Sequence, residues 1–537
     1  MEYAGLGSVL IGSGWLLNAC ETAASSSLTS LSNPNEGFPF LEWSVEQLIN
    51  AQTNGEYSAE QITQAYLDRI KLVDSDEGLG LNSILEINPE ALSIAQALDA
   101  QRKETGSLVG PLHGIPVILK DNIDTGDQMM TTAGALALVG NVAARDAWVT
   151  DRLRAAGAIV LAKANLSEWA NFRSTRSSSG WSGRGKQTRN PYVLDRNPCG
   201  SSAGSGAAVS ANLCALAVGT ETNGSIVCPS SANGVVGIKP TVGLWGRSGI
   251  IPISITQDTA GPMARSVRDA AIMLGTVCGI DPRDEYTVTS KGKSFTDYTQ
   301  FLDANGLEGA RIGLGKNYLG FHEEVDKAIE EVVQQMEAKG ATIIELDAIT
   351  PNGLGRAGFD LMLYEFKDGV NKYLAQVQSD LPVKTLEDVI AWNKDHADQS
   401  MPFFDQEILE MAQKTGNLDD DTYKEALAKS LRFNREEGID KVMDEHQLDA
   451  IIGPTGGPAW PIDVVNGDHF GGGSSSAAAR AGYPNITVPA GFIQGLPIGI
   501  SIFGRAWSEP TLLKIAYAYE QATKHRKAPD FLPSVAL

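Results

Sequence analysis

The sequence predicts an α/β protein whose sheet is covered by helices on both faces. Three observations point there. Short apolar runs alternate along the chain with amphipathic helical segments. The runs are apolar at nearly every position, the pattern of strands buried on both sides. Of the 537 residues, 42% are hydrophobic and only 20% charged, which is enough apolar material for a large core. Taken in order, helices are expected at 44–51 and 58–70, opened by Ser44 and Ser58, whose hydroxyls can accept an orphan N–H of the first turn. A third helix is expected at 89–102. Buried strands follow at 115–119, 158–161 and 215–218, with a helix at 146–155 between the first two. The segment 361–449 is charged and helical in pattern, most clearly at 421–434 and 435–446, and reads as a solvated helical layer. No Pro/Ser-rich linker divides the chain after residue 40, so a single domain is expected over 38–537.

The first 37 residues read differently. An apolar, Gly-rich run at 6–17 is too short for a membrane-spanning helix of about 20 residues. Leu17-Asn18-Ala19-Cys20 follows it, and then a polar tract that reads as a flexible tether. This arrangement resembles the end of a bacterial lipoprotein signal, in which the cysteine becomes lipidated. Met1-Glu2-Tyr3 departs from that pattern, because it lacks the basic residues of a signal n-region. The resemblance implies an exported, periplasmic or membrane-anchored protein with a lipid anchor at Cys20; without a working signal the protein would be cytoplasmic.

Charge and composition exclude several functions. Lys plus Arg number 43 against 65 Asp plus Glu, a net charge of −22, which argues against a nucleic-acid partner. Six histidines lie far apart with no metal-ligand spacing, so no metal is expected. Cys20, Cys199, Cys214, Cys228 and Cys278 contain no C-x-x-C and are too sparse for a disulfide framework. Cys199 and Cys228 flank the candidate site described next and read as small buried fillers.

The chemistry concentrates in 199–243, a stretch dense in Ser, Gly and Thr yet broken by apolar runs. Small residues there let backbone N–H groups approach a ligand. Thr222-Asn223-Gly224-Ser225 is a turn-prone tetrad whose N–H groups could converge on one oxyanion, with Ser225 as nucleophile beside them. A serine needs a base. His113 is the histidine near it in sequence, but Lys120 is the better candidate, since it ends the apolar run Ile115-Pro116-Val117-Ile118-Leu119. Burial disfavours an ammonium and leaves a neutral amine able to take a proton. Lys163, ending a similar run, shows that such a position can also be structural. Gly200-Ser201-Ser202-Ala203-Gly204 fits the nucleophile elbow G-x-S-x-G, but the residues before it form a loop instead of the required strand. Ser290-Lys291-Gly292-Lys293 fits S-x-x-K without its companion motifs.

Several ordered blocks resemble the amidase signature family. They are Gly114-Ile115-Pro116-Val117-Ile118-Leu119-Lys120-Asp121-Asn122, Ser201-Ser202-Ala203-Gly204, Gly219-Thr220-Glu221-Thr222-Asn223-Gly224-Ser225-Ile226, Gly237-Ile238-Lys239-Pro240-Thr241, Asp258-Thr259-Ala260-Gly261-Pro262 and Gly495-Leu496-Pro497-Ile498-Gly499-Ile500. The resemblance runs from about residue 40 to the end. It implies a large mixed sheet, a catalytic core at about 110–270 and a helical substrate-covering region at about 355–450. It implies amide hydrolysis through an acyl-enzyme, with Ser225 as nucleophile, Ser201 as a bridging serine after a cis peptide bond and Lys120 as base. The N–H groups of Thr222, Asn223, Gly224 and Ser225 would form the oxyanion hole, with Ser202 and Thr220 in support. No cofactor, metal or obligate protein partner is implied. Blocks such as Asn165-Leu166-Ser167-Glu168-Trp169-Ala170-Asn171 resemble bacterial members that remove the C-terminal amide of peptides. Amidases of aliphatic, aryl or fatty-acid amides, and more remotely the amidase component of an amidotransferase, are the alternatives. Many members carry arginine two residues after the nucleophile. Here that residue is Val227, which suits a neutral acyl group unless Arg173 or Arg189 supplies the charge.

Overall fold

The computed structural model describes residues 34–535. The apolar run at 6–17 and Cys20 lie outside them, as does most of the expected tether. The strands, in chain order, are β1 (Ile84–Ile87), β2 (Pro116–Lys120), β3 (Ile159–Ala164), the short hairpin pair β4 (Trp181–Ser182) and β5 (Lys186–Gln187), β6 (Leu216–Glu221) and β7 (Val236–Lys239). They continue with β8 (Thr259–Ala264), β9 (Arg311–Gly315), β10 (Thr342–Leu346), β11 (Ala450–Pro454), β12 (Asn485–Ile493) and β13 (Leu496–Phe503). All but the hairpin pair join one eleven-stranded sheet in the order β1-β3-β2-β6-β8-β7-β12-β13-β11-β9-β10. The sheet is mixed: β3, β2 and β6 run parallel, as do β11, β9 and β10, and the pairs between β6 and β11 are antiparallel. Every residue of β2, β3, β6, β8 and β13 is buried, so both faces of the sheet are covered, as the runs of apolar residues require.

The expected elements form with small shifts at their ends. Ser44 and Ser58 each cap a helix, Val45–Asn54 and Ala59–Val73, and each closes a reciprocal capping box with the glutamine three residues on. The helix expected from 89 starts at Ala91, because the Asn88 carboxamide accepts the Glu90 N–H and holds a turn there. The helix expected over 435–446 is not continuous. A π-helical turn at Arg435–Ile439 breaks it before Asp440–His446. Gly438 is the cause: a Cβ there would sit 2.5 Å from the Phe433 carbonyl oxygen, so the backbone passes where no side chain fits. Of the sheet strands, β1, β7, β8 and the five from β9 to β13 have no counterpart among the strands expected from the sequence.

The charged segment folds as helices with an apolar cluster of its own. Leu363, Phe366, Val370 and Leu374 of the helix Ala357–Leu374 pack with Leu166, Trp169, Phe172, Ile251 and Ile253, which lie on loops leaving the sheet. This places the helical layer over the carboxyl ends of β2, β3 and β6, where an open parallel sheet leaves a crevice.

Candidate active site

Parallel pairing of β2 with β6 sets the register Leu119↔Val218, which brings Lys120 and Thr220 together at the carboxyl ends of the two strands. Lys120 is fully buried, and its Nζ lies 2.8 Å from Ser201 Oγ, 2.9 Å from Thr220 Oγ1 and 3.2 Å from the Thr220 carbonyl oxygen. Burial pulls its pKa down from 10.5 to about 7, against the opposing pull of the Asp258 and Glu221 charges. A neutral amine has two N–H groups and one lone pair. The two Thr220 oxygens can take both N–H groups, which turns the lone pair toward the Ser201 hydroxyl. Asn122 Nδ2 donates to Thr220 Oγ1 at 3.0 Å and fixes the threonine in that pose.

Ser201 follows a cis peptide bond after Gly200. The loop is tightly held: a Cβ on Gly200 would lie 2.2 Å from Ser167 Oγ, so only glycine fits. Beside it, Ser202 Oγ donates to the Thr220 carbonyl at 3.1 Å and accepts the Thr220 N–H at 3.2 Å. Ser202 and Thr220 thus lock the serine loop to β6. The Ser202 N–H also donates to the Ser225 carbonyl at 3.1 Å, which ties the loop to the candidate nucleophile.

Ser225 sits on the turn that follows β6. It keeps 9% of its surface accessible while Lys120, Ser201 and Ser202 keep none, so the candidate nucleophile is the exposed end of this group of residues. Its hydroxyl makes no hydrogen bond among the described residues. Glu221, which no motif singles out as functional, shapes this turn. Its Oε1 accepts the Gly224 N–H at 2.8 Å, and its Oε2 accepts those of Ile226 at 2.8 Å and Val227 at 3.1 Å. The expectation that Gly224 donates to an oxyanion is therefore corrected: its N–H is already spent on a carboxylate. The N–H groups of Thr222, Asn223 and Ser225 have no such partner among the described residues. Thr222 Oγ1 donates to Asp258 at 2.5 Å, and Asp258 in turn accepts the N–H groups of Ile253 and Ser254. Asn223 accepts from Ser475 and Ser476, so the turn is pinned from both sides.

A cavity of about 730 Å³ opens beside this network. Asn122, Thr220, Thr222 and Asp258 form its inner wall, and Glu365 and Tyr373 of the helix Ala357–Leu374 form part of the outer one. The Asn122 carboxamide oxygen is buried there without a partner among the described residues. The volume matches that of a pocket for a medium-sized organic ligand.

Other candidates fall away. His113 is buried with its Nδ1 accepting the Val109 N–H, a local turn contact. Lys163 donates to the Ile123 carbonyl and to Thr131 Oγ1, at 2.6 and 2.8 Å. Arg173 pairs with Glu168 at 2.6 Å, donates to two carbonyls and lies 4.1 Å over the Phe404 ring, so its charge is not free for a substrate. Ser290, of the S-x-x-K match, ends a short 3₁₀ turn with its hydroxyl bonded to the Thr287 carbonyl. The reading of Cys199 and Cys228 as fillers is overturned: they form a disulfide with Cα atoms 6.0 Å apart. Their separation of 29 residues carries no motif; the fold alone brings them together. Cys214 and Cys278 are free and buried.

A family model described as Amidase matches residues 61–513. The crystal structure of native peptide amidase from Stenotrophomonas maltophilia superposes with a TM-score of 0.87 at 48% identity, covering 92% of this chain and 99% of that one. A probable amidase of Arabidopsis thaliana is 41% identical over 505 residues, 92% of this chain and 93% of that protein. One component of the glutamyl-tRNA(Gln) amidotransferase of Symbiobacterium thermophilum is 33% identical over 504 residues, covering 88% of this chain and 95% of that protein.

Proposed function

This chain belongs to the amidase family of amide hydrolases, and we propose that its substrate is the terminal carboxamide of a peptide, cleaved by Ser225 with Ser201 and Lys120 as a proton relay. The observation that carries this reading is the fully buried Lys120 amine, 2.8 Å from Ser201 Oγ, with both of its N–H directions occupied by Thr220. Ser225 Oγ attacks the amide carbon and its proton passes to Ser201, whose own proton passes to Lys120. The negative charge that develops on the carbonyl oxygen is met by the N–H groups of Thr222, Asn223 and Ser225, each such donor being worth about 3–4 kcal/mol in serine hydrolases. The relay then runs backward, protonates the departing nitrogen and releases ammonia. Water attacks the acyl-enzyme by the same route and regenerates Ser225.

The likeness to peptide amidase supports a peptide substrate, as does the cavity volume beside Thr220 and Thr222. Val227 is buried, and Arg173 is committed to Glu168, so neither offers a cation for a free carboxylate in the acyl part. The helix Ala357–Leu374 would cover the bound peptide. The amidotransferase alternative is disfavoured by the net charge of −22, which repels tRNA. For location, the proposal is an exported enzyme held by a lipid on Cys20. The Cys199–Cys228 disulfide supports it, because such bonds persist in oxidising compartments.

Ammonia release from a dipeptide amide, a fatty-acid amide and glutamine tests the substrate. The dipeptide amide should be turned over with the highest kcat/KM; a preference for either of the others refutes the peptide assignment. Labelling with a fluorophosphonate should modify Ser225, and a label mapped elsewhere refutes the nucleophile.

A further inference from the structure

Two chain segments meet at the candidate active site, and each delivers one of its serines. The first, 197–202, ends in Ser201 and Ser202; the second, 222–228, contains Ser225. Cys199 lies two residues before Ser201, and Cys228 three residues after Ser225, in the first turn of the helix Val227–Ala232. Their disulfide therefore crosslinks the relay serine's loop to the helix that follows the nucleophile's turn. Cys199 is held at φ +58°, in the left-handed region that non-glycine residues enter only when their surroundings enforce it. Two of the enforcing contacts are visible: Asn197 Oδ1 accepts the Cys199 N–H at 2.8 Å, and the sulfur is bonded to Cys228. On the other side, the Cys228 N–H donates to the Gly224 carbonyl at 2.8 Å, so the bridge reaches the turn that presents Ser225. Asn233 adds a polar tie, donating to the Pro198 and Pro229 carbonyls at 2.8 and 2.7 Å. Cys228 is partly exposed, so a small thiol can reach the bridge without unfolding the core.

We propose that the Cys199–Cys228 disulfide is a positioning crosslink that sets Ser201 against Ser225, and that amide hydrolysis depends on its oxidised state. The inference rests on the assignment of those two serines to the reaction. A dithiol such as dithiothreitol supplies the two electrons and two protons that convert the bridge to two thiols, and is itself oxidised to its cyclic disulfide. Cys199 then loses its covalent anchor and leaves the left-handed region, and Ser201 moves with it. Lys120 and the cavity are untouched, so substrate binding stays while the proton relay loses its alignment.

The test compares the oxidised full-length enzyme, the dithiothreitol-reduced and alkylated enzyme, and a Cys199→Ser/Cys228→Ser variant. Alkylation of Cys199 and Cys228 is verified by peptide mass, and circular dichroism confirms folding at the assay temperature. Displacements of an ångström or less within a relay cost about 10- to 100-fold, so kcat on a dipeptide amide should fall by that factor. KM should stay within about twofold, the signature of an interaction used in the transition state. Fluorophosphonate labelling of Ser225 should slow in parallel, and reoxidation of unalkylated enzyme should restore both rates. A companion Cys199→Gly/Cys228→Ala variant accepts the left-handed φ without the bond; it should recover only part of the loss. Unchanged kcat in the folded, alkylated enzyme overturns the proposal, as does a rise in KM alone. If the oxidised enzyme hydrolyses no amide, the proposed function has failed instead. Hydrogen exchange of 197–204 then decides the crosslink, and protection unchanged by reduction overturns it.

Discussion

Replacing Lys120 by methionine should abolish turnover and at the same time change how the protein's stability depends on pH. The magnitude follows from burial. In the unfolded chain the lysine binds a proton below its ordinary pKa of 10.5, but in the fold it does so only below about 7. Between those values the unfolded state carries more protons, so this group makes stability rise with pH through that window. At about 1.4 kcal/mol per pH unit, and with the curve flattening near each end, the wild type should gain about 3–4 kcal/mol from this residue between pH 7 and pH 10. Methionine has no proton to bind and makes no such gain. All other titrations are common to both proteins, so the difference between their stabilities isolates Lys120. Urea unfolding of wild type and Lys120→Met at pH 7 and pH 10 measures it. The variant should gain on the wild type at pH 7 relative to pH 10 by that amount, whatever the lost hydrogen bonds to Ser201 and Thr220 cost at both. A stability difference that does not vary with pH would mean that the amine titrates normally, and the general-base role would fall with it.

Four further outcomes follow from the same geometry. In wild type, kcat/KM should fall about tenfold per pH unit below pH 7, because the base must be unprotonated, and a pH–rate profile reads it. Ser225→Ala should release no ammonia and take no fluorophosphonate label, by mass spectrometry. Thr220→Val removes one acceptor from the amine; kcat should drop about 10- to 100-fold, and the acid limb should move to lower pH because the charged form loses a partner. Arg173→Ala leaves Glu168 buried and unpaired, which should cost about 3–5 kcal/mol in chemical denaturation, and lysine should not rescue the two carbonyl contacts.

In the first half of the fold β2, β3 and β6 were readable from the sequence because they are short, continuous apolar runs, whereas β1, β7 and β8 were not. Ser44 and Ser58 announce their helices, and Ile115 to Leu119 announces β2. The strands from β9 to β13 were harder. β10 is exposed or half-buried at all but its last residue, and β12 and β13 contain Pro and Gly that break an apolar run, as at Pro489 and Gly499. At the site, ordered motifs placed Lys120, Ser201 and Ser225, and the fold puts all three at one crevice. Glu221 could not be read the same way. A carboxylate closing β6 looks like any charged strand end until its three N–H partners are seen. The disulfide was invisible for a related reason: what decides a bridge is the distance between Cα atoms, and Cys199 and Cys228 become neighbours only when two loops are brought together.

Three lysines end strands of this sheet or lie beside their ends, and all three are fully buried: Lys120, Lys163 and Lys239. Burial lowers the pKa of each, so a depressed pKa does not by itself make a base. What separates them is whether any partner has a proton to give. Lys239 donates to the carbonyls of Pro240 and Tyr483, which can only accept. Lys163 meets a carbonyl and the Thr131 hydroxyl, but that hydroxyl already donates to the Ile123 carbonyl. Ser201 Oγ differs, because its one contact among the described residues is the Lys120 amine, and its proton is not otherwise engaged. Lys163 and Lys239 are therefore anchors that bind carbonyls across the fold, whereas the Lys120 amine has a neighbour that can be a donor, which is what its proposed role as base requires.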